Sequence, residues 1–153
     1  MTDFLNKVLA IILAVVLLII APLNLSNLSD RTEQKLKALN SMQIWLDTVC
    51  DKGSINISDL DNLNDNIAAT GIVAEVEVEE YRLLADAQSV VLAKQCTVSY
   101  DRIRTDGGEH IVYGTNVIRV HVVETAQSGA ARLWSRIIGV DDMFDETLSA
   151  MRR

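Results

Sequence analysis

The sequence predicts an α+β protein. An apolar N-terminal helix leads into an amphipathic stem helix, followed by a small antiparallel sheet and short C-terminal helices. Three observations predict it. Val8–Ala21 is a run of fourteen consecutive apolar residues, and nothing like it recurs in the chain. Between Leu36 and Val49 apolar residues return at helical spacing. From Ile72 onward the period drops to two, the signature of half-buried strands.

With Phe4, Leu5 and Leu25 at its edges, the apolar run extends over residues 4–25. A membrane crossing needs roughly 20 residues at about 1.5 Å each. Residues 4–25 are therefore expected to form a transmembrane or assembly helix, using Val8, Ala10, Ile11, Ala14, Val15, Leu18 and Pro22. Ala10 and Ala14, one turn apart, permit close approach of a second helix. Lys7 can snorkel to headgroups at one end, and Pro22 falls near the other, where a kink is tolerated. A cleaved signal peptide fits less well. Asp3 offsets Lys7, and a cut after Ala21 would put Ile19 at the −3 position and Pro22 just beyond the cut. Basic residues flank the run on both sides, with Lys7 before it and Arg31, Lys35 and Lys37 after. They leave orientation open; the short N-terminal tail favours a single-pass protein of the cell membrane with its domain outside.

Residues 26–153 are enough for one extracytoplasmic α+β domain with a core of its own. A stem helix is expected over 30–51. Asp30-Arg31-Thr32-Glu33 has the form of a capping box, and Leu36, Leu39, Met42, Leu46 and Val49 share a face with Trp45 beside them. Gly53 is the stop. The polar stretch Asn24–Ser29 either breaks the first helix or continues it into the stem. A second, short helix opens at Ser58-Asp59, buries Leu60, Leu63 and Ile67, and ends at Gly71. Its Asp59, Asp61 and Asp65 do not form a calcium loop, which would need an oxygen ligand and a glycine where Leu63 and Asn64 stand. They suit a helix N-terminus instead.

Ala74, Val76 and Val78 alternate with Glu75, Glu77 and Glu79, giving a strand with a solvated acidic face in an antiparallel sheet. Val90–Leu92 reads as a short strand, and Cys96, Val98 and Tyr100 as one face of the next. Asp106-Gly107-Gly108 then turns a hairpin into a return strand at Ile111-Val112-Tyr113. After a turn at Gly114-Thr115-Asn116, Ile118, Val120 and Val122 face one side of the last strand, with Arg119 and His121 on the other. Ala130–Ile138 reads as a helix. A final helix, capped by Asp141, carries Met143, Phe144, Leu148 and Met151.

With 21 acidic and 14 basic residues, net −7, the chain lacks the basic surface that nucleic acid requires. No nucleophile elbow, phosphate-binding loop, zinc-protease motif or dinucleotide fingerprint is present, so no enzyme activity and no cofactor are expected. His110 and His121 have no motif around them. The two cysteines and two histidines are too scattered for a metal motif. Cys50 and Cys96 are candidates for a single disulfide, with two free buried thiols as the alternative. Asn24, Asn27 and Asn56 open short glycosylation sequons.

The order of elements resembles that of pilin-like proteins, and short motifs sharpen the likeness. These are Leu46-Asp47-Thr48-Val49, Gly53-Ser54-Ile55, Thr70-Gly71 and the acidic strand Val76-Glu77-Val78-Glu79; Gly114-Thr115-Asn116 before Val117–Val123 departs from the pattern, lacking the Asp of a Gly-Asp turn and adding a residue. They are similar to membrane-anchored pilin-like proteins of tight-adherence-type pilus machinery in Gram-positive bacteria. The resemblance covers most of residues 4–140 and implies a pilin-like fold. It also implies a structural role in a pilus or secretion apparatus, with membrane lipid, like subunits and the secretion machinery as partners. No glycine precedes a Phe or Met at a processing junction, and Asn6 and Lys7 stand where such helices carry Glu. A minor subunit or pseudopilin that keeps its anchor is therefore the closer match. A monomeric membrane-tethered binding module is the alternative.

Overall fold

The structure, a computed structural model, describes residues 2–86, 89–126, Arg136 and 143–152. It is α+β with a small antiparallel sheet, as expected. The chain divides into two compact units, Met1–Gln34 and Lys35–Arg153.

Helix α1 is Thr2–Lys52, so the polar stretch at 24–29 continues the helix, and the stem helix does not start afresh at residue 30. Pro22 lies inside α1, where it supplies no N–H to the carbonyl of Leu18. Among the described residues no helix is long and apolar enough to cross a membrane. This corrects the transmembrane assignment of residues 4–25. The uninterrupted apolar run Val8–Ala21 is fourteen residues, about 21 Å of helix at about 1.5 Å per residue, against a hydrocarbon core of about 30 Å.

The second unit is built on the C-terminal part of α1. Ala38, Met42, Trp45, Leu46, Val49 and Cys50 are buried there. Leu36, expected on the same face, is exposed, and Ala38 takes the inward position instead. The Gly53 N–H donates to the Val49 carbonyl at 2.8 Å with φ +74°, the left-handed geometry that closes a helix. Strand β1 (Ser54–Asn56) follows, and then α2 (Ile57–Ala69), which packs Leu60, Leu63 and Ile67 inward. Asn56 and Asp59 form a reciprocal capping box at its start. Asp59 also receives the Lys52 ammonium at 2.8 Å, and its carbonyl accepts from the Trp45 indole at 2.7 Å. Asp59 is thus engaged in capping and tethering α2, whereas Asp61 accepts from the Tyr100 hydroxyl at 2.9 Å.

Strand β2 (Val73–Asp86) pairs antiparallel with β3 (Ser89–Thr97) on one side and β5 (Asn116–Ala126) on the other. The acidic alternation holds through Glu77 and then fails. Val78, Glu79 and Glu80 are all buried, just before a bulge between Glu80 and Tyr81. Glu79 ties to Lys94 and to the Tyr81 hydroxyl. On β5, Ile118, Val120 and Val122 point inward as expected. The sheet order is β3-β2-β5, with a fourth strand, β6 (Asp145–Met151), on the other side of β5.

Four assignments change. Val90–Leu92 and Cys96, expected on separate strands, share β3, and Tyr100, expected on the strand of Cys96 and Val98, opens a helix. The hairpin expected at Asp106-Gly107-Gly108 is instead the exit of a short helix, α3 (Tyr100–Thr105), with Ser99 capping its start. Gly107 and Gly108 do adopt positive φ, but they turn the chain into β4 (Glu109–Ile111), which pairs with β1 rather than with β3. The final helix expected after Asp141 is a strand, β6 (Asp145–Met151), paired antiparallel with β5. Phe144, Leu148 and Ala150 fit an inward period of two as readily as a helical stripe. The free edge of β5 decides between them, because its backbone groups need partners. The helix expected at Ala130–Ile138 lies outside the described residues, Arg136 excepted.

Candidate functional site

Two features are candidates for function, one in each unit. The first is the surface of α1 in the N-terminal unit. Every residue from Phe4 to Ile19 is exposed. Val8, Ile11, Val15 and Leu18 all present bare side chains, as do Leu9, Ile12, Leu13, Val16, Leu17 and Ile19 on the remaining faces. Ala10, Ala14 and Pro22 are exposed as well. A helix of a globular protein normally has one polar face, whereas one that is apolar all round requires cover from other helices or from lipid. The seven residues singled out from sequence therefore lie on a surface open to a partner.

The second feature was not foreseen. In the second unit, Glu80, Cys96 and His110 meet inside the fold, with their donor atoms all within 4.8 Å of one another. Glu80 is on β2, in phase with Ala74, Val76 and Val78, so strand alternation turns it inward. Cys96 is its cross-strand partner on β3. His110 is the central residue of β4, opposite Ile55 of β1. The His110 Nε2 lies 2.8 Å from Glu80 Oε2, and its Nδ1 lies 2.7 Å from Asp106 Oδ2. Asn116 donates to the other Glu80 oxygen at 2.6 Å, and Arg102 donates to Asp106 at 3.1 Å. The Cys96 thiol donates to Glu80 at 3.6 Å and lies 4.0 Å from His110 Nε2.

The electrostatics follow from that geometry. Hydrogen bonding to Glu80 raises the His110 pKa; burial opposes it, and Asp106 adds to it. Both ring nitrogens face carboxylates, so the imidazolium is favoured. Burial pushes the Glu80 carboxyl upward, but hydrogen bonds from His110 and Asn116 and the His110 charge together hold it below the ordinary value. Burial and the neighbouring Glu80 charge push the Cys96 thiol up. A cysteine, a histidine and an aspartate in sequence of contact suggest a nucleophilic triad, but the polarity here is unfavourable. An imidazolium cannot take the thiol proton, and a thiol with a raised pKa is a poor nucleophile. A groove lined by Asn64, Asp65, Ala68, Gly71, Val73 and Val76 contains neither a histidine nor a cysteine.

Cys50 is buried in α1 and Cys96 half-buried in β3, and the disulfide considered from sequence does not join them. His121 stays on the outer face of β5, 2.8 Å from Asp145. The side chain of Asn56, the third sequon, is engaged as the N-cap of α2. Comparison with protein families, curated proteins and solved structures finds no match to this chain.

Proposed function

We propose that this chain is a structural, pilin-like subunit of the minor or pseudopilin kind. It is held at a membrane and assembles into a pilus or secretion apparatus through the apolar N-terminal part of α1. The observation that carries the proposal is the complete exposure of Phe4 to Ile19. Each large aliphatic side chain moved from water into an apolar contact contributes about 1.5–3 kcal/mol. Leaving a dozen bare opposes the isolated state and drives the helix toward lipid or like helices. The architecture supports the same role. The rest of α1 backs a small antiparallel sheet, which would display the folded unit while the apolar part joins the assembly.

The test is self-association of the full-length chain in mild detergent, read by sedimentation and by capture of co-purifying pilus or secretion components. The wild-type chain is expected to form oligomers. Val15→Asp, which puts a carboxylate on the apolar surface, is expected to shift it to monomer with its far-ultraviolet spectrum retained. A wild-type chain that stays monomeric and captures no such component would overturn the proposal and leave the membrane-tethered binding module in its place.

A further inference from the structure

We infer that Glu80, Cys96 and His110 form a zinc-binding site inside the second unit, pinning β2, β3 and β4 to one another. The three residues offer carboxylate, thiolate and imidazole, the mixture of donors that a borderline-soft divalent ion prefers; hard ions avoid the sulfur and copper(I) the carboxylate.

The spacing is close to what the ion needs. Tetrahedral bonds of about 2.0–2.3 Å place neighbouring donor atoms about 3.3–3.6 Å apart. Here the separations are 2.8 Å for Nε2–Oε2, 3.6 Å for Sγ–Oε2 and 4.0 Å for Sγ–Nε2. Nε2 and Oε2 must part, and Sγ and Nε2 must close, each by about half an ångström. Side-chain rotation supplies movements of that size without disturbing the strands.

The surrounding groups are what distinguish this cluster from an ordinary buried ion pair. Metal-bound histidines usually donate their second N–H to a carboxylate, which fixes the ring. His110 donates its Nδ1–H to Asp106 at 2.7 Å, and Asp106 is itself steadied by Arg102. Metal-bound carboxylates are likewise hydrogen-bonded, and Asn116 holds the oxygen of Glu80 that would not face the ion. Both ligands therefore arrive already oriented. A buried Glu–His pair needs no thiol, yet Cys96 lies against both partners.

Charge closes as well. Loading one Zn²⁺ releases two protons, one from the thiol and one from the imidazolium. Thiolate, carboxylate and neutral imidazole then offset the two positive charges, and Asp106 keeps Arg102. Cys96 is half-buried and Gln95 beside it is exposed, so the ion can enter from the β3 side.

The experiment uses the full-length, reduced chain, stripped with chelator and dialysed against Zn²⁺ alone, with bound metal measured by elemental analysis. A parallel sample takes Co²⁺, which reports sulfur ligation through a thiolate-to-metal absorption band. One Zn²⁺ per chain and a cobalt–thiolate band are expected. C96S should abolish the band and weaken Zn²⁺ binding more than the orienting-residue variant does. D106N, which keeps every ligand, should weaken it about 10–100-fold. Circular dichroism on each variant separates lost ligation from lost folding. Because the wild-type band and stoichiometry need no variant, the inference stays testable even if both substitutions unfold the chain. It is overturned if the folded wild-type chain takes up no stoichiometric Zn²⁺, if Co²⁺ gives no thiolate band, or if folded C96S binds Zn²⁺ as tightly as wild type.

Discussion

At the scale of single residues, His110 makes the stability of the metal-free chain depend on pH in two directions. Its folded pKa is raised above the ordinary 6.5. Its contribution is therefore complete below that value and is lost as pH climbs through the raised one. Glu80 is held below its ordinary 4.5, so its contribution is present above that value and is lost as pH falls through the lowered one. Chelator-treated protein should show its highest urea midpoint between these limits, with a decline on the alkaline side. His110→Gln should flatten the alkaline decline; an unchanged slope would mean that His110 is not the group responsible. Part of this site was legible in the sequence. Ala74, Val76, Val78 and Glu80 share a parity, and an acid ending an apolar stripe is a buried carboxylate in waiting. Cys96 and His110 were not legible as partners. The first is brought in by the β2–β3 register and the second by a short β1–β4 ladder that no local pattern announces.

At the scale of elements, local chemistry was a good guide wherever an element's own residues decide its state. The C-terminal stop at Gly53, the second helix with its Leu60, Leu63 and Ile67 face, and the inward face of β5 all follow from short-range rules. Expectation failed where a distant strand decides. Met143, Phe144, Leu148 and Met151 carry a helical spacing, but β6 is recruited by the open edge of β5. The same competition replaced the expected hairpin at Gly107-Gly108 with a helix exit, because β1 captured β4. Phe144, the residue just before β6, shows what this end of the chain contributes. It is 1% exposed, and its backbone is clamped to Glu124 through both the main chain and the carboxylate. Phe144→Ala should cost about 3–5 kcal/mol, the range for emptying a buried aromatic site. Urea denaturation of the purified chain would measure it, and a loss below about 1 kcal/mol would mean that Phe144 is not a core residue in solution.

At the scale of the whole molecule, the two units contribute differently. Among the described residues, every member of the buried apolar core lies at Ala38 or beyond, whereas the side chains from Phe4 to Ile19 are all exposed. Removing residues 1–28 should therefore leave the melting temperature of the remaining domain unchanged and abolish self-association. A fall of more than about 4 °C, roughly 1 kcal/mol for a domain of this size, would show that the first unit stabilises the second. The helical, apolar character of Val8–Ala21 was legible in the sequence, but its reading as a membrane span was not upheld. The placement of β6 has a consequence for the timing of synthesis. Chains emerge N-terminus first, so α1 is made long before Phe144 and Leu148 arrive to close the core against β5. Throughout that interval the apolar part of α1 is already made and exposed, while the domain behind it still lacks its closing strand.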